Sequence, residues 1–199
     1  MTHGPGDDPE LQLRHRVKQA LRRQMRAVRD ALPAEARRAR SLEIARRVTA
    51  LEEFRAARTV AAFASIRSEA STEPILEGAW VAGKQVALPR VMGEEMSLHR
   101  IQADTKLETG PFSVPEPPVQ QPLVPPGNVD FVLVPALAVD PRGHRIGYGK
   151  GYYDQLLPRL SRAFSCVIAY DFQLLAEIPE APFDVPVDAV VTDLRVIRP

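Results

Sequence analysis

From residue 13 the chain spaces its apolar positions at helical intervals. Leu13, Val17, Leu21, Met25, Val28 and Leu32 fall at three- and four-residue steps and predict an amphipathic helix with one apolar face turned inward. Pro33 ends that helix or begins the next. A second amphipathic helix is predicted over 34–53, with Ala36, Ala39, Leu42, Ile44, Val48 and Leu51 supplying its inner positions. The pattern then changes to short, β-branched apolar runs at 59–64, 85–89, 96–101, 131–134, 166–170 and 189–191, which read as strands, with 96–101 on an edge. Pro89 suits a strand end, because it cannot donate to a ladder. Between the strands lie a helix over 73–82, with Ser71 or Thr72 as its cap, Pro74 near its first turn and Gly83 past its end, and a short helix over 153–160. Alternating strands and helices predict an α/β fold: one domain built on a mostly parallel sheet with helices on both faces. Seven prolines between residues 111 and 126 predict an extended loop wrapping the domain surface, since neither side of it carries a separate core-sized segment.

Composition narrows the class. A chain of 199 residues with 45% hydrophobic and 26% charged positions is ordinary for a globular protein. No apolar stretch approaches the roughly 18 to 20 residues of a membrane span. The polar start, MTHGPGDDPE, lacks a secretory apolar region, so residues 1–10 are expected to be disordered, 11–199 to form the single domain, and the protein to be cytoplasmic. Cys166, the one cysteine, excludes an internal disulfide and falls in a predicted buried strand. His3, His15, His99 and His144 show no zinc-ligand spacing. The net charge is +1, yet residues 11–58 hold fourteen Lys or Arg against five Asp or Glu, leaving +9 there and −8 elsewhere. Such a segment suits a polyanion, either nucleic acid or a polyphosphate with a polyglutamylated substrate. On the first helix Lys18, Arg22, Arg26 and Arg29 form a basic stripe, which for most of these arginines reads as a solvated face.

Residues 131–154, FVLVPALAVDPRGHRIGYGKGYYD, concentrate the candidate chemistry. A buried strand is followed by Asp140-Pro141-Arg142-Gly143, which has the residues of a type I turn. Gly147, Gly149 and Gly151 then alternate along a loop where missing β-carbons permit positive φ and let backbone N–H groups approach an anion. Arg145 and Lys150 lie in the same loop, and a helix beginning at Tyr152 would turn its positive end toward the anion. The loop is not a P-loop, because Gly151 follows Lys150 where Ser or Thr is required. The dinucleotide fingerprint fails as well, with Tyr152 at its third glycine. Tyr152 and Tyr153 offer flat faces to a ring, and Asp154 is a hard oxygen ligand suited to Mg²⁺ beside phosphates.

The string GHRIGYGKGYYD resembles the signature of the 5-formyltetrahydrofolate cyclo-ligase (5,10-methenyltetrahydrofolate synthetase) family, with supporting matches at KQALR, SIRSEASTEPIL, VALPRV, PFSVPEP and VPVDAVVTD. The resemblance implies a NagB/RpiA/CoA-transferase-like α/β fold and ATP- and Mg²⁺-dependent conversion of 5-formyltetrahydrofolate to 5,10-methenyltetrahydrofolate. It implies a monomer whose partners are these small molecules, with no nucleic acid and no membrane. By the same resemblance Lys18, Arg22, Arg145, Gly147, Gly149, Lys150, Gly151, Tyr152 and Tyr153 are expected on ATP, with Lys150, Arg145 and Tyr153 at the reacting groups. Ala64, Glu69, Tyr148, Lys150 and Tyr152 are expected on the folate, and Gln173 is expected to begin a further substrate-facing loop. Asp154 and Asp188 are expected on the metal, with Asp184 competing for the second place. The family's Gly-Ile-Pro-Glu-Pro is here Ser113-Val114-Pro115-Glu116-Pro117, so the backbone at Ser113 is expected to differ. Two rivals are a nucleic-acid-binding module drawn by the basic front segment and a family member that binds without turnover.

Overall fold

The computed structural model describes residues 9–181 and 184–199. Helices α1 (Pro9–Asp30), α2 (Ala34–Ala50) and α3 (Glu52–Ala56) precede strand β1 (Thr59–Ala61). Helix α4 (Glu73–Val81) leads into β2 (Gln85–Met92) and β3 (Glu95–Ile101), followed by a small ribbon of β4 (Glu108–Thr109) and β5 (Pro115–Glu116). Strand β6 (Phe131–Pro135), the ribbon of β7 (Ala138–Val139) and β8 (Arg145–Ile146), and helix α5 (Tyr152–Leu156) come next. Strands β9 (Phe164–Ile168), β10 (Ala189–Val191) and β11 (Val196–Ile197) complete the chain. Seven strands make the main sheet in the order β11-β10-β9-β6-β1-β2-β3, parallel from β10 to β2 and antiparallel at both edges.

Both faces of the sheet are covered, as the unbroken burial along the central strands requires. Ile44, Val48, Phe54, Ile75 and Ala79 of α2 to α4 pack on Val60, Phe131, Leu133 and Cys166. On the other face Leu156, Leu157 and Leu160 meet Val132, Val134, Val167 and Val190. Strand β1 leads to β2 on one side while β6 leads to β9 on the other, so the order reverses between β1 and β6. Ligands of open α/β sheets collect outside the carboxyl ends of strands at such a reversal.

Several expectations require correction. Residues 9 and 10 open helix α1, and residues 1–8 lie outside the described residues. Of the apolar row on α1 only Met25 is buried, whereas Leu13, Val17 and Val28 are 53%, 37% and 45% exposed. The face turned inward is the basic one, carrying buried Lys18 and Arg29, because α1 lies across the cleft and not on the sheet. On α2, Ala39 and Leu42 are exposed, and the helix breaks at Leu51, whose ψ of 138° is extended. Strand β1 stops at Ala61. Strand β2 passes through Pro89 instead of ending there: Gln85 donates to Arg58 and Ala87 accepts from Ala62 on the β1 side, and Pro89 faces the same way beyond the end of β1, where no ladder bond is lost. The proline-rich stretch does wrap the surface, and it pairs with the β3 edge through Val124 N–H to Leu98 O and Arg100 N–H to Pro122 O. Such cover protects an otherwise open edge strand. Gln173 faces no cleft; it is buried and donates to Ala136 O and Leu137 O while accepting from Tyr170 N–H, bridging two loops.

Candidate active site

A cleft of about 490 Å³ opens beside the β1–β6 reversal. Its first wall is α1, which contributes Lys18, Arg22 and Arg26. The loop after β1 adds Ala64, Ile66, Arg67 and Glu69, and the segment 111–116 brings Phe112, Val114 and Glu116. The glycine loop and the start of α5 supply Gly147 through Asp154, with Arg145 behind them.

The turn before the glycine loop is set by Asp140, fully buried, whose carboxylate accepts from Arg142 N–H and His144 N–H at 3.0 Å and from Ile178 N–H at 3.0 Å. Gly143 closes it at φ 82°, and a β-carbon there would stand 2.6 Å from Val187 O. Downstream, Gly149 at φ 99° and Gly151 at φ 72° occupy the left-handed region, as the alternating glycines imply; Gly147 does not. The role of Gly147 is its carbonyl, which accepts from Arg22 Nε at 2.9 Å. At Gly149 the backbone, at φ 99°, sets the need for glycine, since a β-carbon there would meet the Arg22 guanidinium only at an ordinary contact distance of 3.4 Å. Helix α5 has five residues, too few for a useful dipole, so positive potential in the loop comes from Lys150, Arg22 and the loop amides.

Charge is distributed as an alternating network. Lys18 pairs with Asp184, and Arg145 donates to Val185 O and to Asp154 Oδ1, the latter at 2.8 Å. Burial pulls the Arg145 guanidinium below its ordinary value, opposed by Asp154 and Asp184. Lys150 is exposed over the Phe112 ring, 5.1 Å from its centroid. Tyr152 donates to Gly93 O at 3.3 Å, which turns its ring along the cleft toward the β2–β3 hairpin. Burial raises the Tyr153 phenol, with Glu69 adding to the effect.

From within the glycine loop Tyr148 reaches Glu69. Tyr148 donates to Glu69 Oε1 at 2.7 Å, and the Ile66 N–H donates to Oε2 at 2.9 Å. Burial holds the Glu69 carboxyl above its usual range, and burial together with Glu69 pushes Tyr148 up to about 12. Sequence reasoning missed two arginines here. Arg26 stands 5.6 Å from the Tyr148 ring centroid, with a buried Nε that has no partner among the described residues, and Arg29 is buried behind Tyr148.

The metal expectation for Asp188 does not hold. Asp188 precedes β10, at the amino end of a parallel strand, and accepts from Ser165 N–H and Oγ–H at 2.8 and 2.7 Å, away from the cleft. Asp184 lines the cleft instead. No cluster of three metal-binding side chains exists among the described residues. Asp154, with Oδ2 unpartnered among those residues, and Asp184 fit the sparse carboxylate set that Mg²⁺ takes when phosphates complete its shell. Cys166 is buried in β9, and burial raises its thiol far above the reactive range.

A cation-lined glycine loop beside a carboxylate–tyrosine wall stands at the reversal of a mostly parallel sheet, the place where α/β proteins form their ligand clefts. The profile of the 5-formyltetrahydrofolate cyclo-ligase family matches residues 14–193. The chain is 30% identical over 179 residues to the 5-formyltetrahydrofolate cyclo-ligase of Escherichia coli K12, covering 86% of this chain and 98% of that protein. It is 27% identical to the enzyme of that name from Mus musculus, covering 88% and 93%. The NMR structure of Aquifex aeolicus 5,10-methenyltetrahydrofolate synthetase superimposes with a TM-score of 0.82 at 36% identity, covering 92% of each chain. This protein belongs to the 5-formyltetrahydrofolate cyclo-ligase family, and with it to the ligases.

Proposed function

We propose that the protein converts 5-formyltetrahydrofolate to 5,10-methenyltetrahydrofolate with consumption of ATP. The observation that carries this reading is the single cleft that brings Lys150, Arg22 and the left-handed glycines together with Glu69 and Tyr148, in a chain of this family. The two sets of groups suit two ligands, a triphosphate and a pterin.

An amide-like formyl oxygen is a poor leaving group, so it must be activated. In the proposed course it attacks the γ-phosphorus of ATP, the bond to the bridging oxygen breaks, and ADP leaves. N10 then attacks the formyl carbon, the C–O bond breaks, phosphate departs, and the N10 proton is lost with it. The protein contributes alignment and charge neutralisation, as phosphoryl transfer generally requires. Lys150 and the loop amides face the transferring group, and Arg22 and Lys18 hold the remaining phosphates. Arg145 fixes Asp154 from behind through their 2.8 Å bond. Asp154 and Asp184 would hold Mg²⁺, which when bound neutralises phosphate charge. Glu69 accepts from pterin N–H groups, Ala64 leaves room beside it, and Tyr148, Tyr152 and Tyr153 flank the ring.

Purified protein mixed with 5-formyltetrahydrofolate, ATP and Mg²⁺ tests the proposal by methenyl absorbance. Product is expected only when all three are present; its absence from the full mixture would overturn the assignment. Nucleic-acid binding is the weaker reading, because Lys18 and Arg29 are buried toward the cleft and Arg22 and Arg26 line it, where a duplex has no access.

A further inference from the structure

We propose that Arg29 is a positioning residue for ligand capture, holding Glu69 ionised and locking it with Tyr148 into one rigid acceptor wall. The proposal rests on the reading of this part of the cleft as a folate site, and it assigns a role to a residue outside every motif that carries the family resemblance.

Arg29 is 1% exposed, a rare burial for a group that stays charged. Its three nitrogens are turned to three different groups. Nε donates to Ser68 Oγ at 3.1 Å, one terminal nitrogen donates to the Tyr148 hydroxyl at 2.6 Å, and the other lies 3.9 Å from Glu69 Oε1. The Ser68 hydroxyl in turn donates a hydrogen bond to Asp30 Oδ1. Glu69 is thus the carboxylate in direct reach of the buried cation, while Asp30 is reached through a hydroxyl. Removing either member of such a pair strands a buried charge.

The surroundings of Glu69 point the same way. Tyr148 and the Ile66 amide both donate to it, which suits a carboxylate acting only as acceptor. Arg29 faces it from α1, Arg67 from its own loop, Tyr148 from the glycine loop and Tyr153 from α5, while Tyr170 touches only its backbone oxygen. Burial works against ionisation here and is opposed first by the Ile66 and Tyr148 hydrogen bonds and then by the charges of Arg29 and Arg67, of which Arg29 also fixes Tyr148. With Arg29 in place, the lone pairs left on Glu69 are offered to N–H donors in the cleft, as an amino-pyrimidinone edge presents. Tyr148, fixed between Arg29 and Glu69, keeps the carboxylate from rotating away.

The test measures the Kd of 5-formyltetrahydrofolate without ATP from about pH 5 to 9. In the unsubstituted protein, affinity falls as the pH drops through the raised Glu69 value, because protonation converts an acceptor into a donor. Arg29→Met should move that acidic limb upward by about one pH unit and weaken binding at neutral pH by about 10-fold, raising KM more than it lowers kcat. Arg29→Lys keeps the charge and should leave the limb in place while weakening binding at every pH. Glu69→Gln should abolish the limb. If Arg29→Met does not fold, the double variant Arg29→Met/Glu69→Gln removes both buried charges and should bind with the pH-independent, weak affinity of Glu69→Gln alone. An unmoved limb in Arg29→Met, or a double variant weaker than Glu69→Gln by a further 10-fold or so, would overturn the proposal. A protein that binds no 5-formyltetrahydrofolate at any pH would overturn the folate reading beneath it, and is told apart because no variant comparison then arises.

Discussion

Lys150 lies in the glycine loop with no carboxylate partner among the described residues and the Phe112 ring beneath its ammonium. A cation so placed is available to charge that develops on a transferring phosphoryl group. Lys150→Ala should therefore lower kcat by on the order of 10²-fold with the fold intact, as loss of one transition-state donor does; near-normal turnover in the methenyl assay would leave the lysine a loop ornament. Lys150 was singled out by the residue types of its glycine loop and Glu69 only by the resemblance of its loop to the family motif, and both line the cleft. Arg29 was not singled out, since an arginine three or four residues from other arginines reads as a solvated stripe until tertiary structure closes over it. The confusion of Asp188 with Asp184 has a different origin. Both carboxylates precede the same strand, and only the direction of β10 in the parallel sheet tells that Asp188 sits at the amino edge while the chain at Asp184 still borders the cleft.

Among the elements, the β4–β5 ribbon holds a conformation that its sequence does not favour. Phe112 and Ser113 have φ of 59° and 60°, in the left-handed region that costs a side-chain-bearing residue about 1–2 kcal/mol. The backbone at Ser113 therefore keeps a glycine-like geometry despite the loss of the glycine. Gly110 is held by contact as well, because a β-carbon there would lie 2.3 Å from Glu116, whose carboxylate accepts from Val91 N–H at 3.2 Å. Ser113→Gly should relieve the strain, less the entropy glycine adds to the unfolded chain, for a net gain of about 0.5–1 kcal/mol. That corresponds to a Tm higher by about 1–3 °C; a scan showing an equal or lower Tm would mean the ribbon is not strained at this residue. Turns of this kind escape sequence reading because the packing of Glu116 and Phe112 around the ribbon selects them. The strands were more legible: their positions were read correctly from β-branched runs, while the length of β2 depended on where β1 ended.

At the scale of the molecule, α1 is the element whose reading changed most, since only Leu21 and Met25 of the apolar row within it pack inward and its basic stripe turns to the cleft beside them. Its apolar contact with the body is small, centred on Met25 and Leu21 against Ala138, Ile146 and Ile178. Its polar attachments are Arg14 to Glu180 O, Lys18 to Asp184 and Arg22 to Gly147 O, the last two in the cleft, and Arg29 behind the cleft wall to Ser68 and Tyr148. A helix docked this way is held by the groups that would grip a nucleotide, so ligand and helix should stabilise each other. If phosphates bind only when α1 is docked, nucleotide at a hundred times its Kd adds about 2.7 kcal/mol to docking. Amide exchange over residues 9–24, proceeding by undocking and local opening, should then slow by up to about 100-fold when ATP and Mg²⁺ are added. Exchange that slows in the glycine loop and stays unchanged in α1 would show that the nucleotide is held without the helix, and Lys18 and Arg22 would lose their proposed place on the phosphates.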